Sequence, residues 1–83
     1  MERGLFERSL AHARMMERLE GPMGTAEYWS GFAQGLRRRF FGEAFGTQEQ
    51  HELLYAENNG PDLCRAALGR GYRVGFEGNL PIR

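Results

Sequence analysis

Few side chains in this 83-residue chain could do polar chemistry: His12, His51, Cys64, eleven arginines and eleven carboxylates. His51 and Glu52 have the composition of an acid–base pair, in which an imidazole moves a proton beside a carboxylate. Successive residues on a helix point about 100° apart, so this pair cannot face one substrate together. His51 therefore reads as a helix-surface or partly buried residue. Cys64 falls on an apolar ridge and reads as a small core residue rather than a nucleophile. The chain has no His-Glu-x-x-His, no Cys-x-x-Cys, no phosphate-binding glycine loop ending in lysine and no serine elbow. The expectation is a protein without catalytic activity, cofactor or metal.

Binding chemistry is better represented. All eleven cations are arginine and none is lysine. A GC-rich genome is the simplest source of that bias. Selection for planar, bidentate donors to phosphate or carboxylate is the functional reading. Arg37-Arg38-Arg39 is the strongest local signal, and Arg70 and Arg73 lie on a later helix. At a helix C-terminus such charges stabilise the dipole by about 0.3–1 kcal/mol. They could also pair with the acidic segment 47–62, or contact an acidic partner. With Trp29, a typical interface anchor, Arg37, Arg38, Arg39, Arg70 and Arg73 form the candidate partner-binding set. The net charge is zero, which removes the basic excess of many nucleic-acid binders. It is unevenly spread: residues 47–62 hold four carboxylates and no arginine, while residues 63–83 hold four arginines and one glutamate.

The elements that must carry these residues are helical. The β-branched residues are only Thr25, Thr47, Val74 and Ile82, too few for a sheet built on such side chains. A first helix spans 2–20, with Leu5, Phe6, Leu10, Ala13, Met16 and Leu19 as a broad apolar face. Gly21-Pro22-Met23-Gly24 breaks it. Thr25 is the expected N-cap of a second helix carrying Trp29, Phe32, Ala33, Leu36 and Phe40 at steps of three and four. Gly42 is its expected stop. Thr47 and Gln50 form a capping box that opens a third helix ending near Glu57, with Leu54 and Tyr55 inward. Asn58-Asn59-Gly60-Pro61 restarts the chain into a fourth helix, from about Pro61 to Glu77, ridged by Cys64, Leu68, Tyr72 and Phe76. Residues 78–83 read as an extended tail.

Two of these helices repeat one pattern. Tyr28-x-x-Gly31-Phe32-x-x-Gly35-Leu36 returns forty residues later as Leu68-x-x-Gly71-Tyr72-x-x-Gly75-Phe76. Glycine costs roughly 1 kcal/mol relative to alanine inside a helix, against about 5–15 kcal/mol of total stability. Gly31, Gly35, Gly71 and Gly75 are tolerable only where close backbone approach offsets that loss. The expected fold is thus all-α, a compact bundle of about four short helices, the second and fourth packed notch against notch. Residues 1–83 make one domain, with 1–20 as a packing or dimerisation arm.

The run from Glu27 to Arg38, continued by Gly42-Glu43-Ala44-Phe45-Gly46-Thr47 and His51, resembles small uncharacterised proteins of phages, prophages and mobile elements of GC-rich bacteria. The likeness covers residues 27–52, with a second glycine–aromatic element at 69–76. It implies a small accessory protein that binds a host or phage assembly, with inhibition of a CRISPR effector complex as its sharpest version. The near-neutral charge departs from the acidic DNA mimics among such inhibitors. The function expected is therefore a non-catalytic interaction protein that binds and inhibits or adapts a protein or nucleoprotein complex. The alternative is a small nucleic-acid-binding regulator that contacts phosphates through its arginines, and a homodimer is a third reading. A helix-turn-helix over 52–69 fits poorly, because Asn59, Pro61 and Gly69 stand where apolar residues belong. No leader pattern, no run of about 20 apolar residues and a lone cysteine point to the cytoplasm of a bacterial host.

Overall fold

The computed structural model describes residues 2–19, 21, 24–42, 45–56 and 62–78. They form four helices: α1 (Arg3–Arg18), α2 (Thr25–Phe41), α3 (Gln48–Ala56) and α4 (Leu63–Glu77). No described residue lies in a strand. The protein is a small all-α bundle, and the α2–α4 pair is its centre.

The glycine repeat builds that pair. A Cβ placed on Gly31 would overlap the Leu68 carbonyl oxygen, and one on Gly35 would overlap that of Tyr72. Reciprocally, a Cβ on Gly71 would overlap the Tyr28 carbonyl, and one on Gly75 that of Phe32. Each glycine faces the residue three positions before its counterpart, so the forty-residue shift in sequence becomes an approximate two-fold axis in space. Both helices advance together through the contact, Gly31 against Leu68 and Tyr72 and then Gly35 against Tyr72 and Phe76. The pair is therefore parallel, and the chain between them must travel back. Phe32, Leu36, Ala66, Ala67 and Tyr72 are buried around the crossing.

Helix α1 is part of the bundle. Phe6 stacks on Phe40 with centroids 4.2 Å apart, while His12 meets Trp29 edge-on at 5.2 Å. The order of these contacts makes α1 antiparallel to α2. Ala13 and Ser9 are fully buried in the same helix, and the Ser9 hydroxyl has no hydrogen-bond partner. Ser9 and Ala13 repeat the four-residue spacing of small residues and are the most deeply buried described positions of α1. Leu19, expected on the apolar face, lies beyond the helix and is exposed, as is Met15.

The helix ends follow local chemistry, with two corrections. The N-cap of α2 is Gly24 at φ 93°, not Thr25, which is the first helical residue. The left-handed backbone there suits glycine and leaves no side-chain cap. Helix α4 starts at Leu63 rather than near Pro61, because the Asp62 carboxylate accepts from the backbone N–H of Cys64 and Arg65. Gly42 ends α2 at φ 63°, as expected. Thr47 and Gln50 form the reciprocal capping box, with both hydrogen bonds 3.1 Å long. The ends expected at Glu57, Asn58–Pro61 and the tail beyond Gly78 lie outside the described residues.

Candidate functional site

The candidate arginines separate into two groups. Arg38 is buried and holds the start of α3: Nη1 donates to the carbonyls of Phe45 (3.0 Å) and Gly46 (3.4 Å), and Nη2 donates to Gln48 Oε1 (2.9 Å). Arg39 Nη1 donates to the Phe76 carbonyl at 2.9 Å, in the last turn of α4. Arg73 Nη2 donates to the Tyr55 carbonyl at 3.2 Å, at the end of α3, with its guanidinium 4.4 Å from the Tyr55 ring centroid. These three arginines act as stitches to backbone carbonyls of neighbouring elements, and the acceptors of Arg39 and Arg73 lie in the last turns of α4 and α3, where the helix dipole favours a cation. None of the three pairs with a carboxylate among the described residues. The internal pairing expected between Arg37–Arg39 and the carboxylates of the third helix is not seen among the described residues: Arg38 bonds the loop before α3 and the Gln48 amide, and Arg39 bonds α4.

Arg37 and Arg70 make no hydrogen bond or ion pair to a described residue. Arg70 is exposed and lines a cleft of about 300 Å³ with Tyr28, Trp29, Gly24, Thr25 and Ala67. Burial pushes the Tyr28 hydroxyl pKa up, and the Arg70 guanidinium opposes that shift. Trp29 is half-buried, edge-on to Tyr28 at 5.1 Å and to Phe32 at 5.2 Å. The crossing thus brings Trp29 and Arg70 together at the N-terminal end of α2, and it takes Arg38, Arg39 and Arg73 elsewhere. Tyr28 belongs to the cleft but not to the sequence-based set. Its place in the repeat marked it only as a ridge residue.

His51 is engaged with α4. Its Nδ1 lies 2.7 Å from the hydroxyl of Tyr72, and its ring sits 4.6 Å from that of Phe76. Burial lowers its pKa below the ordinary 6.5, the Arg38 charge lowers it further, and Glu52 works against both. A group with a depressed folded pKa contributes stability above its unfolded pKa and loses it as pH falls through the folded pKa. The melting temperature should therefore be level just above neutrality and decline as the pH falls below about 6.5. His51→Gln should flatten that decline in a pH series of thermal melts. An unchanged profile would mean the ring is not desolvated.

Cys64 is half-buried. Partial burial, with the carboxylates of Glu27 and Asp62, raises its thiol pKa, the reverse of an activated nucleophile. No group of three or more His, Cys, Asp or Glu side chains among the described residues could hold a metal ion. No helix among them is long and apolar enough to cross a membrane. No protein-family model, curated protein or solved structure matches this chain.

Proposed function

We propose that the protein is a non-catalytic interaction module that binds a protein or nucleoprotein complex through the cleft of Tyr28, Trp29 and Arg70. One observation supports this above the others. Arg70 is the exposed arginine set beside two large aromatics, while Arg38, Arg39 and Arg73 are engaged by backbone carbonyls of the bundle itself. Trp, Tyr and Arg are the residues that dominate interface hot spots, because they combine large apolar area with a directed donor. Gly24 leaves the N-terminus of α2 without a side-chain cap, adding partial positive charge near Arg70. The partner group favoured is an acidic side chain flanked by apolar surface. The likeness of residues 27–52 to phage and mobile-element proteins makes a bacterial assembly, blocked or adapted in the cytoplasm, the partner class we infer. A CRISPR effector complex is the first to test.

The nucleic-acid reading is the weaker one. A chain with no net charge and two disengaged arginines in its candidate set offers few phosphate contacts. The test is affinity enrichment on wild-type, Arg70→Glu and Arg37→Glu proteins. A specific partner should be retained by wild type and Arg37→Glu and reduced about tenfold or more by Arg70→Glu, since reversing a hot-spot charge costs over about 1.4 kcal/mol. Equal retention on all three would overturn the cleft. Steeply salt-dependent binding to duplex or single-stranded nucleic acid, weakened by both substitutions, would restore the phosphate reading.

A further inference from the structure

A second and larger cavity, sharing no residue with the first, lies between α2, α3 and α4. It is a half-open cleft of about 450 Å³, with Gln34, Phe45, His51, Leu53, Leu54 and Tyr72 among its walls. That volume falls in the range of small-molecule sites, roughly 300–1,000 Å³. Its chemistry is unusual for this chain. Charged residues make up 27% of the sequence, yet none of the residues lining the cavity is Asp, Glu, Lys or Arg. Apolar wall comes from Phe45, Leu53 and Leu54, and Gln34, His51 and Tyr72 bring polar groups to the lining.

Those polar atoms have a definite arrangement. Tyr72 is 2% exposed, so its hydroxyl cannot rely on bulk water, and it is paired with His51 Nδ1 at 2.7 Å. When Tyr72 donates, the imidazole carries its proton on Nε2 and can donate in turn. Gln34 donates its amide nitrogen to Ser30 Oγ at 3.5 Å, and its carbonyl oxygen accepts no hydrogen bond from a described residue. The Arg38 charge reaches this region without entering it. It perturbs both His51 and Tyr72, but its hydrogen bonds run to Phe45, Gly46 and Gln48.

We propose that this cavity binds a neutral small organic molecule with an aromatic or aliphatic body and a hydrogen-bond-accepting head, such as a carboxamide. The apolar wall takes the body, and the His51–Tyr72 pair meets the head. The nearby Arg38 charge favours the electron-rich end of a dipole and repels a cation. A carboxylate would be desolvated without a direct cationic partner, which is costly. Neutrality is thus the selective property of the site.

The test uses three probes of one shape, phenylacetamide, phenylacetate and 2-phenylethylammonium, with toluene as an apolar reference. Each is titrated into ¹⁵N-labelled protein at neutral pH, and amide shifts are followed. Phenylacetamide should give saturable shifts confined to residues around Gln34, Phe45–Leu54 and Tyr72. The two charged probes should bind about tenfold more weakly or worse, given what an unpaired buried charge costs. Leu53→Trp fills the mouth from a position that is 58% exposed, so the fold should keep its melting temperature while binding is lost. Tyr72→Phe should weaken the amide probe while leaving toluene binding unchanged. Absence of saturable shifts, shifts centred elsewhere, equal affinity for the charged probes, or full binding by Leu53→Trp would each overturn the proposal.

Discussion

Gly71→Ala should destabilise the fold by about 3 kcal/mol, the upper end of what one added methyl does in a packed core. Helix propensity acts in the opposite direction, because alanine is better than glycine by about 1 kcal/mol. Packing wins because of what the methyl meets. Its obstacles are the carbonyl of Tyr28 and the backbone nitrogen of Phe32 at 2.8 Å, which belong to a helix and not to a flexible side chain. Moving α2 away to make room would open the other three notches as well. At about 4–8 °C per kcal/mol for a domain of this size, the melting temperature should fall by more than about 10 °C. Gly4→Ala is the internal control. A methyl there meets only the side chains of Glu2 and Arg8, so it should be neutral or stabilising by a few tenths of a kcal/mol. Equal melting temperatures for the two variants would show that the crossing is looser than described.

Arg38→Ala should cost about 2–4 kcal/mol and act on one part of the molecule. Charge-assisted hydrogen bonds are worth about 1.5–3 kcal/mol each. Removing the guanidinium also removes its own desolvation penalty, so the three bonds do not simply add. What remains is a pair of loop carbonyls and a Gln48 amide that have lost their shared donor. Helix α3 buries no residue of its own and depends on such stitches. Hydrogen exchange should therefore rise across 48–56 while the α2–α4 crossing stays protected. Arg38→Lys should recover little, because a single ammonium cannot fork between the loop and Gln48. Arg37→Ala, beside it in sequence, should fall within about 0.5 kcal/mol of wild type. Uniform loss of protection across all four helices would mean that Arg38 supports the whole core and not α3 alone.

The contrast between Arg37 and Arg38 shows where sequence reasoning works and where it stops. Both glycine notches were legible because each copy carries its own spacing, and a notch needs a matching notch. The Thr47–Gln50 cap and the Gly42 stop were legible for the same reason, since both partners lie within a few residues. The fate of the arginines was not. Arg39 reaches Phe76 and Arg73 reaches Tyr55, 37 and 18 residues away, so their acceptors are set by how the helices dock. The cleft is a mixed case. Trp29 and Arg70 stood out by residue type, but only the parallel crossing of α2 and α4 brings them to one place. The errors at helix starts share a cause. The usual roles of threonine at an N-cap and proline at a first turn do not apply here, because Gly24 takes the left-handed N-cap position and the Asp62 carboxylate caps α4.

The forty-residue offset between the notches also governs how the chain can fold. Helical bundles fold fast when their contacts are local, because short loops close cheaply. Here the tightest contacts join segments separated by the whole of α3 and its connections. The entropy of closing that loop must be met before the glycines gain anything. Until then the unfolded chain presents two near-identical glycine faces. Each can pair with a matching face on another molecule as well as with its counterpart on the same one. Dilution favours the internal pairing and higher concentration the exchanged one, so a repeat that builds the bundle also makes refolding sensitive to concentration.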